Sequence, residues 1–427
     1  MVFSGHMFGT QAAAYAAYRE EQQQHPMKKR IVMIGPVYPY KGGISHYTGL
    51  MVKNLKQCFS VDTVSYQMQY PKLLFKKEQR DYQNKSFQVE DAVYWIHTAN
   101  PFNILRCAKK IRALNPDYVI FQWWHPYFAP CYRILEGRLK GIPLLFVCHN
   151  VFPHERFPMD RKLTKMVLKK GSAFITHSKM DADDLKTIVS DPIYETTVLP
   201  TYNAFRIRGI SKEEGRTEIQ MAPEKKMLLF FGLIREYKGL KHLVRAMPEI
   251  TAYDPEIELM VVGEFGSEEE RAEYEALIQS TGVSDHIHLI GGYVPDQEVE
   301  KYFAAADLVV LPYESATQSA VAQIAYGFEK PVIVTNVGGL PEVVRDGKTG
   351  YVVEPKNPAA IAEAVIRYFR ENREAEFSAH VREEADRYSW ERMNEVVCRL
   401  TQRIDQKNGN TADTAAANTA SAPTYKK

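Results

Sequence analysis

The sequence predicts an α/β protein made of two doubly wound parallel-sheet domains that face each other across a cleft. Short apolar runs alternate with helical stretches in both halves of the chain, which is typical of parallel sheets covered by helices on both faces. With 427 residues, of which 45% are hydrophobic, the chain can form two cores. Because such sheets bind ligands beyond the carboxyl ends of their strands, we expect the functional groups between the two halves.

Six apolar runs predict the strands of each half. In the first half they are RIVMIGPV, VDTVSY, DAVYWI, YVIFQW, PLLFVCHN and AFITHS, and in the second MLLFFGL, ELMVVGEF, HIHLIGG, DLVVLPYE, PVIVTNV and GYVVEP. Residues 200–225 between them are polar and predict a linker. We therefore expect a first domain at 27–205 and a second at 206–385. A loose extension at 1–26 and a disordered tail at 407–427 flank them.

The two halves differ in charge. Residues 28–205 carry 26 Lys and Arg against 14 Asp and Glu, a net charge of +12, and residues 206–400 carry 23 against 34, a net charge of −11. Apolar residues interleave with lysines in KLLFKKEQR and RKLTKMVLKKG, which indicates an anionic membrane surface or, equally, a solvated amphipathic helix. No nucleic-acid-binding motif accompanies these stretches, so nucleic acid is not an expected partner.

Composition also bears on location and cofactors. No apolar run approaches the ~18 residues of a membrane-spanning helix, and residues 1–26 lack the layout of a secretory signal. Five scattered cysteines without C-x-x-C pairs argue against a disulfide framework, and no metal-ligand spacing occurs. We expect a cytoplasmic protein without a metal, with peripheral contact to the inner membrane face as an open alternative.

The segment FFGLIREYKGL joins an apolar strand to a helix through Gly232 and two basic residues. Arg235 and Lys238 stand three positions apart beside Gly239, where the helix is expected to begin. A helix N-terminus carries partial positive charge, and with arginine and lysine it forms a pocket suited to a diphosphate. An ordinary turn with two solvated basic residues fits this short motif equally well.

A second glycine-rich turn follows the first strand in GPVYPYKGGISHYTGL. Gly42 and Gly43 permit close approach of the backbone to an anion just before a helix. Neither G-x-G-x-x-G nor G-x-x-x-x-G-K-[ST] occurs, which argues against a nicotinamide cofactor and against P-loop ATP hydrolysis. A flexible turn without a ligand is the alternative interpretation.

Polar and aromatic residues follow three further strands. His149 and Asn150 end one strand, and Trp123, Trp124 and His125 end its neighbour. A histidine there can act as a donor or base, and the aromatic rings can stack on a sugar, although each residue alone is more often part of the packing. The loop after DLVVLPY carries polar groups at a helix N-terminus, which can bind hydroxyls and phosphate oxygens. They are Glu314, Ser315, Thr317, Gln318, Ser319 and Gln323.

Together these segments resemble glycosyltransferase family 4, the group 1 glycosyltransferases. The resemblance is carried by FFGLIREYKGL, LMVVGE, HIHLIGGYV, DLVVLPYES, KPVIVTNVGGLPEVV and DGKTGYVVEP in this order, with GPVYPYKGG near the start and YSWERMNEVV near the end. It implies a GT-B fold of two Rossmann-like domains and a retaining, metal-independent transfer. It further implies a nucleotide-sugar donor on the second domain, an acceptor on the first, and a closing helix at 386–406.

The resemblance also implies roles for single residues. Arg235 and Lys238 would grip the donor diphosphate, Gly42 and Gly43 would approach it from the other side, and Tyr293 would border the base. His149 would lie beside the reacting sugar, with Glu314 near the sugar and phosphate. The remaining donor contacts would come from Gly232, Ser315, Thr317, Gln318, Ser319 and Gln323. Acceptor contacts would come from Trp123, His125 and Asn150.

Two positions depart from the family pattern. The family commonly has an arginine directly after the glycine, where this chain has Leu233, and a second glutamate eight residues after Glu314, where it has Ala322. The nearest polar side chain is the uncharged amide of Gln323. The ribose contact and the identity of the sugar therefore stay open.

These features favour a hexosyltransferase that builds a bacterial surface polysaccharide or glycolipid. The nucleotide-sugar is then a substrate, and no cofactor is expected. Another GT-B activity, either a sugar-nucleotide epimerase or a phosphorylase, remains an alternative because fold does not determine function. A nucleotide-sugar-binding protein without turnover is the non-enzymatic alternative.

Overall fold

The computed structural model describes residues 28–75, 78–82, 85, 87–153 and 156–420. Within these ranges two parallel sheets form, one from each half of the chain. The predicted loose extension at 1–26 lies outside the described residues.

The first sheet contains the strands of the basic half in the order β3-β2-β1-β4-β5-β6-β7. All of its pairs are parallel, and Ile34 at the end of β1 pairs with Val64 and Phe121. The strands are β1 Arg30–Ile34, β2 Ser60–Met68, β3 Val93–His97, β4 Tyr118–Trp123, β5 Leu144–Cys148, β6 Ala173–Thr176 and β7 Tyr194–Thr196.

The second sheet repeats this topology in the order β10-β9-β8-β11-β12-β13, again with parallel pairs throughout. Its strands are β8 Lys226–Phe231, β9 Ile257–Gly263, β10 Ile287–Gly291, β11 Leu308–Leu311, β12 Val332–Thr335 and β13 Gly350–Val353. Both sheets thus have the 3-2-1-4-5-6 order of doubly wound folds, and the predicted fold class is confirmed.

Helices connect the strands and cover both sheet faces. In the first half they are α1 Gly43–Leu55, α2 Pro101–Ala113, α3 Ala129–Arg138, α4 Asp160–Leu168 and α5 Lys179–Lys186. In the second half they are α6 Lys212–Glu218, α7 Leu240–Tyr253, α8 Glu268–Ser280, α9 Asp296–Ala305, α10 Ala320–Gly327, α11 Leu340–Val343, α12 Pro358–Arg370 and α13 Glu374–Glu383. The last helix, α14, spans Trp390–Ala420.

The segment predicted as a featureless linker contains a short helix and buried aromatic side chains. Ser211 and Glu214 form a capping box that starts α6, so the S-x-x-E pattern was a signal that the sequence analysis missed. Tyr202 and Phe205 are 2% and 3% exposed and pack into a core that continues into the second domain. The connection therefore belongs to the packed structure. The three-residue strand β7 was also missed, because it is too short to show a periodic pattern.

The last helix returns to the first domain. It begins at Trp390, within the range 386–406 predicted for a closing helix, and the Trp390 ring lies 5.2 Å from that of Tyr47. The Asn394 amide donates to the Asn54 carbonyl at 3.1 Å. The helix continues to Ala420, so residues 407–420 are helical where their low apolar content predicted disorder. Alanine, abundant there, has the highest helix propensity of all residues. Residues 421–427 lie outside the described part.

One ionisable side chain is buried in the first domain without a hydrogen bond. The Glu136 side chain on α3 is 4% exposed, and neither carboxyl oxygen has a hydrogen-bond partner among the described residues. The Arg133 guanidinium comes only to 3.9 Å. Burial raises the pKa of Glu136 to about 8, although Arg133 and Lys170 oppose the shift. The side chain is therefore mostly protonated in the folded protein at neutral pH.

This burial predicts a pH-dependent stability that Glu136→Gln removes. Because the folded state binds the proton more tightly than the unfolded chain, the stabilisation is full below pH ~4.5 and is lost as pH rises through about 8. Each pH unit in that window costs about 1.4 kcal/mol at most. Unfolding followed by tryptophan fluorescence at pH 5, 7 and 9 measures the loss, since the tryptophans lie in or against the first domain.

The matched control is Glu363→Gln, an exposed glutamate on α12, which should leave the pH dependence unchanged. An unaltered pH slope in Glu136→Gln would show that Glu136 titrates normally.

Candidate functional site

The strand order of each sheet reverses direction at one point, between β1 and β4 in the first sheet and between β8 and β11 in the second. Chain connections diverge at such a point and leave a crevice beyond the carboxyl ends of the strands. The loop after β11 contacts the loop after β5, because the Thr317 hydroxyl donates to the Asn150 side chain. The two crevices therefore open toward each other.

A cavity of about 420 Å³ lies between the two domains at this place. Gly42 and Gly43 form its wall on the first domain, and Gly232 and Tyr293 form part of its wall on the second. Four of the residues predicted to bind the donor thus line one cavity. Most of the remaining wall is apolar, including Phe231, Val321 and Ile324.

Two helix N-termini meet at the cavity. Gly42 directly precedes α1 and has a φ of 98°, a backbone conformation that favours glycine. No side chain caps this end of the helix. A Cβ on Gly43 would stand 3.8 Å from the Cβ of Ala320, the first residue of α10. Ser319 caps α10 by accepting from the Ala322 N–H at 3.4 Å. The partial positive charges of both helices therefore point toward the same place.

Lys238 lies directly behind Gly232, a residue of the cavity wall. A Cβ on Gly232 would stand 3.2 Å from its Nζ, and the Tyr313 ring centroid lies 5.5 Å from the same atom. Burial lowers the pKa of Lys238, and the nearby charge of Arg235 lowers it further. In the described part of the chain no carboxylate pairs with this ammonium group. A bound anion would supply the negative charge that the surroundings of the Lys238 ammonium group lack.

Arg235, the other predicted diphosphate ligand, is likewise not a residue of the cavity wall. It is exposed and extended, with φ −139°, and precedes a single 3₁₀ turn at Glu236–Lys238. Its guanidinium lies against Gly266, where an added Cβ would be 3.0 Å from Nη1. Contact with a ligand in the cavity therefore requires a movement of this side chain.

Glu314, predicted to be catalytic, serves a different role in the structure. Its Oε1 accepts from His242 at 2.8 Å and lies 3.0 Å from Lys241, and its Oε2 lies 3.1 Å from Lys356. Burial alone would raise the pKa of Glu314, but these three contacts lower it to about 2. The carboxylate is ionised near neutral pH and bound by its own domain, and it does not line the cavity where the sugar and phosphate were expected.

The polar loop after β11 mainly joins the domains. The Thr317 hydroxyl donates to Asn150, and the Gln318 amide donates to the His177 carbonyl. Thr317 is 5% exposed. The two side chains, predicted to bind the donor, therefore hold the loop against the first domain instead of lining the cavity.

The other polar residues of this segment differ in exposure and in their contacts. Ser315 is exposed, and Ser319 is 5% exposed and caps α10. Gln323 is fully buried, and neither of its amide atoms has a hydrogen-bond partner among the described residues. None of the three lines the cavity, so the structure does not bring them to the predicted donor contacts.

The glycine pair after β12 explains how this loop is packed. Gly338 and Gly339 let the backbone after β12 approach this loop closely. A Cβ on Gly338 would stand 1.5 Å from the Ala316 carbonyl oxygen. The Gly339 N–H donates to the Thr317 carbonyl at 3.0 Å.

The acceptor residues predicted in the first domain are not all accessible. Trp123 is wholly buried and its indole donates to the Val151 carbonyl at 3.3 Å, so the prediction of an acceptor contact is corrected. His125 is half-buried, where its Nδ1 accepts from the Tyr127 N–H at 3.1 Å. Aromatic residues at strand ends satisfy sheet packing as readily as ligand binding, and only the fold distinguishes the two.

His149 is buried near the domain interface. Its Nε2 lies 2.7 Å from the Gln122 side-chain oxygen, which makes Nε2 the protonated nitrogen of a neutral ring. Burial lowers the pKa of His149 well below its usual value, and neighbouring His177 adds to the effect. The ring is uncharged at neutral pH and 7% exposed.

Several cavity residues were not predicted. His46 on α1 and Asp296 on α9 form a pair across the two domains, with Nε2 and Oδ2 2.9 Å apart. The Lys41 ammonium lies 4.0 Å from the Tyr293 ring centroid, and the Tyr293 hydroxyl donates to Asp81 at 3.0 Å. Lys41 directly precedes the glycine pair in the sequence and could have been found there. The pairing of His46 with Asp296 has no sequence signal.

The described residues hold no group of three or more histidine, cysteine, aspartate or glutamate side chains arranged to bind a metal ion. Within the same ranges, no helix has both the length and the apolar character needed to cross a membrane.

Solved structures with the same fold define the class of protein. A sucrose-phosphate synthase from Thermosynechococcus elongatus matches with a TM-score of 0.67 and 16% identity, covering 91% of this chain and 100% of that one. Anabaena Alr3699/HepE, solved with UDP and glucose, matches with a TM-score of 0.67 and 13% identity over 90% of this chain and 100% of that one. At these identities the likeness concerns the fold, which is GT-B.

Sequence comparison then gives the family. The family described as glycosyltransferase family 4 matches residues 41–198, and that described as glycosyl transferases group 1 matches residues 211–387. The chain belongs to this family of group 1 glycosyltransferases.

Individual relatives match over part of their length. A D-inositol 3-phosphate glycosyltransferase of Rhodococcus jostii (strain RHA1) is 29% identical over 269 residues, 59% of each chain. An uncharacterized glycosyltransferase of Methanocaldococcus jannaschii is 32% identical over 227 residues, 51% of this chain and 56% of that one. The match thus spans between half and three fifths of these curated relatives.

The tight approach at Gly338 predicts a large loss of stability in Gly338→Ala. Its φ of +51° already disfavours a side chain by about 1 kcal/mol, and the contact with the Ala316 carbonyl adds to this cost. We expect a total of about 2 kcal/mol or more, measured by calorimetry of the second domain's transition.

Gly347→Ala is the matched control, because Gly347 has φ +72° but its Cβ would meet nothing within 4 Å. Equal losses in the two variants would mean that the loop can move away from Gly338 and that the close approach is not a constraint.

Proposed function

We propose that the chain is a glycosyltransferase that moves a hexosyl group from a nucleotide-sugar to a glycan or lipid-linked acceptor. The observation that carries this proposal is the ammonium group of Lys238, which pairs with no carboxylate among the described residues and lies behind Gly232 in the wall of a cavity that two helix N-termini approach. A diphosphate supplies the missing negative charge, and the apolar remainder of the cavity suits a nucleoside. The proposed transfer retains the anomeric configuration and uses no metal ion or cofactor.

Electrostatic stabilisation of the leaving group is the proposed basis of catalysis. Cleavage between the anomeric carbon and the phosphate oxygen leaves negative charge on the nucleoside diphosphate. Lys238 and the N-termini of α1 and α10 can stabilise this charge without reorganising. The domain contacts, such as that of His46 with Asp296, exclude water and so favour transfer over hydrolysis.

The acceptor is assigned to the first-domain side of the cleft. Asn150 and His125 lie at this edge, and Tyr70 and Phe75 line the cavity. Together with the net charge of +12 on residues 28–205, this supports an acceptor of surface polysaccharide or glycolipid synthesis at the cytoplasmic face of the membrane.

One observation favours a second candidate function. The carboxylate of Glu314 is held by His242, Lys241 and Lys356 and does not reach the cavity. A protein that binds the nucleotide-sugar without turnover fits this arrangement. The two functions differ in a single measurement, because only the transferase forms a glycoside from donor and acceptor.

Thermal unfolding in the presence of UDP, GDP, ADP, CMP and dTDP, and of their sugars, tests the donor class. A ligand that binds only the folded protein raises its stability, by an amount that grows with the logarithm of the ligand concentration relative to Kd. One responsive nucleotide family supports the proposal and names the donor, and NMR of the product's anomeric configuration then tests retention. No response to any nucleotide would contradict it.

Lys238→Met should abolish most donor binding without destabilising the free protein. The ammonium group pairs with no carboxylate among the described residues, and its loss removes a charge-assisted contact to the bound anion worth about 1.5–3 kcal/mol. We expect roughly 10- to 100-fold weaker binding of the nucleoside diphosphate by calorimetric titration. Arg235→Ala should have a smaller effect because Arg235 is exposed and its guanidinium lies against Gly266.

Lys348→Met, at an exposed lysine of the same domain, is the matched control and should bind the nucleotide normally. A Lys238→Met variant with unchanged affinity would show that the diphosphate does not bind at Lys238.

A further inference from the structure

A short apolar turn projects from the first domain beside the cavity. The side chains of Leu73, Leu74 and Phe75 are 87%, 64% and 41% exposed. Single exposed leucines are common on protein surfaces, but three consecutive large apolar side chains at a turn form a patch with an unfavourable contact with water. Such a patch usually marks an interaction surface.

The base of the turn is held by hydrogen bonds. The N–H groups of Leu74 and Phe75 both donate to the Pro71 carbonyl, at 2.9 and 3.0 Å. The Gln79 side-chain amide donates to the Tyr70 carbonyl at 2.9 Å and accepts from the Tyr70 N–H at 3.2 Å. This base fixes the turn in a conformation that leaves both leucine side chains outside the fold.

The apolar surface continues from the turn into the cavity. Phe75 stacks on Tyr70 with ring centroids 5.8 Å apart, and both residues line the cavity wall. The Tyr70 ring also packs 5.0 Å from that of Tyr127. A fully polar acceptor gains nothing from this path, whereas an acceptor with a hydrocarbon chain can lie along it.

The net charge of the sequence that contains the turn indicates which surface it meets. Residues 71–85 contain five Lys and Arg against two Asp and Glu, within a domain of net charge +12. An anionic bilayer offers both a hydrocarbon layer for the leucines and negative charge for the lysines. A second copy of this domain would bring the same net positive charge to the contact, and the repulsion between like charges disfavours a dimer at this surface.

We propose that the turn of Leu73, Leu74 and Phe75 inserts into an anionic bilayer and places the cavity where the apolar chain of a lipid-linked acceptor can enter. The assignment of the acceptor rests on the proposed glycosyltransferase function, whereas the binding to a bilayer does not. The turn therefore determines both where the protein binds and which class of acceptor it meets.

Co-sedimentation of the full chain with vesicles tests the proposal. The probes are vesicles of equal parts phosphatidylglycerol and phosphatidylcholine, and vesicles of phosphatidylcholine alone. The protein should bind the anionic vesicles more tightly, with affinity that falls as salt is raised. The double variant Leu73→Asp, Leu74→Asp should bind them at least tenfold more weakly while keeping its nucleotide-induced thermal shift.

The matched control is Tyr253→Asp, which places the same charge on a 44%-exposed apolar residue at the end of α7 in the second domain. It should bind vesicles as the unaltered protein does. Equal vesicle affinity of the double variant, or absence of vesicle binding by the unaltered protein, would overturn the proposal. So would a dimer that the double variant converts to a monomer in the absence of vesicles.

The outcomes separate the two proposals. Vesicle binding that depends on Leu73 and Leu74 in a protein that responds to no nucleotide would support the bilayer contact and contradict the glycosyltransferase function. A nucleotide response without vesicle binding would contradict the bilayer contact alone.

Discussion

The strand order of the two sheets is the constraint on which the rest of the structure depends. In each sheet the order reverses once, and the loops that leave the sheet there cannot be covered by their own crossover helices. Two such crevices facing each other produce one cavity, with α1 beginning on one side and α10 on the other. The glycines at positions 42, 43 and 232 matter because a side chain at these points would occupy the space between the domains.

Contacts between the domains account for several polar side chains that short motifs assigned to a ligand. Thr317 and Gln318 bond to the first domain, and Lys179 donates its backbone N–H to Glu342 at 3.0 Å across the same interface. A polar loop in a closed two-domain protein can satisfy its hydrogen bonds with the partner domain as well as with a substrate. The cavity is therefore mainly apolar even though the loops around it are polar.

Whether a buried ionisable group of this protein is charged depends on the side chains that contact it. Glu314 contacts two lysines and a histidine and remains charged, whereas the carboxyl group of Glu136 has no hydrogen-bond partner among the described residues and is mostly protonated. Lys238 lies between these cases, because its pKa is lowered and no carboxylate among the described residues pairs with its ammonium group, which lies near Gly232 and the Tyr313 ring. This difference distinguishes a structural ion cluster from a group positioned to meet a ligand.

The sequence by itself determined the fold class and twelve of the thirteen strands of the described part, because the alternation of apolar runs and helices is a local pattern that each segment carries on its own. It also singled out Gly42, Gly43 and Gly232, which line the cavity, and Lys238 behind them, since glycine and a basic residue at a strand end leave a local signal; their contact with a donor stays a prediction. Only the tertiary structure decided that Trp123 is buried, that Glu314 is bound by lysines, and that His46 meets Asp296. Those outcomes depend on residues far apart in the chain, whose distances are set by how the two domains pack.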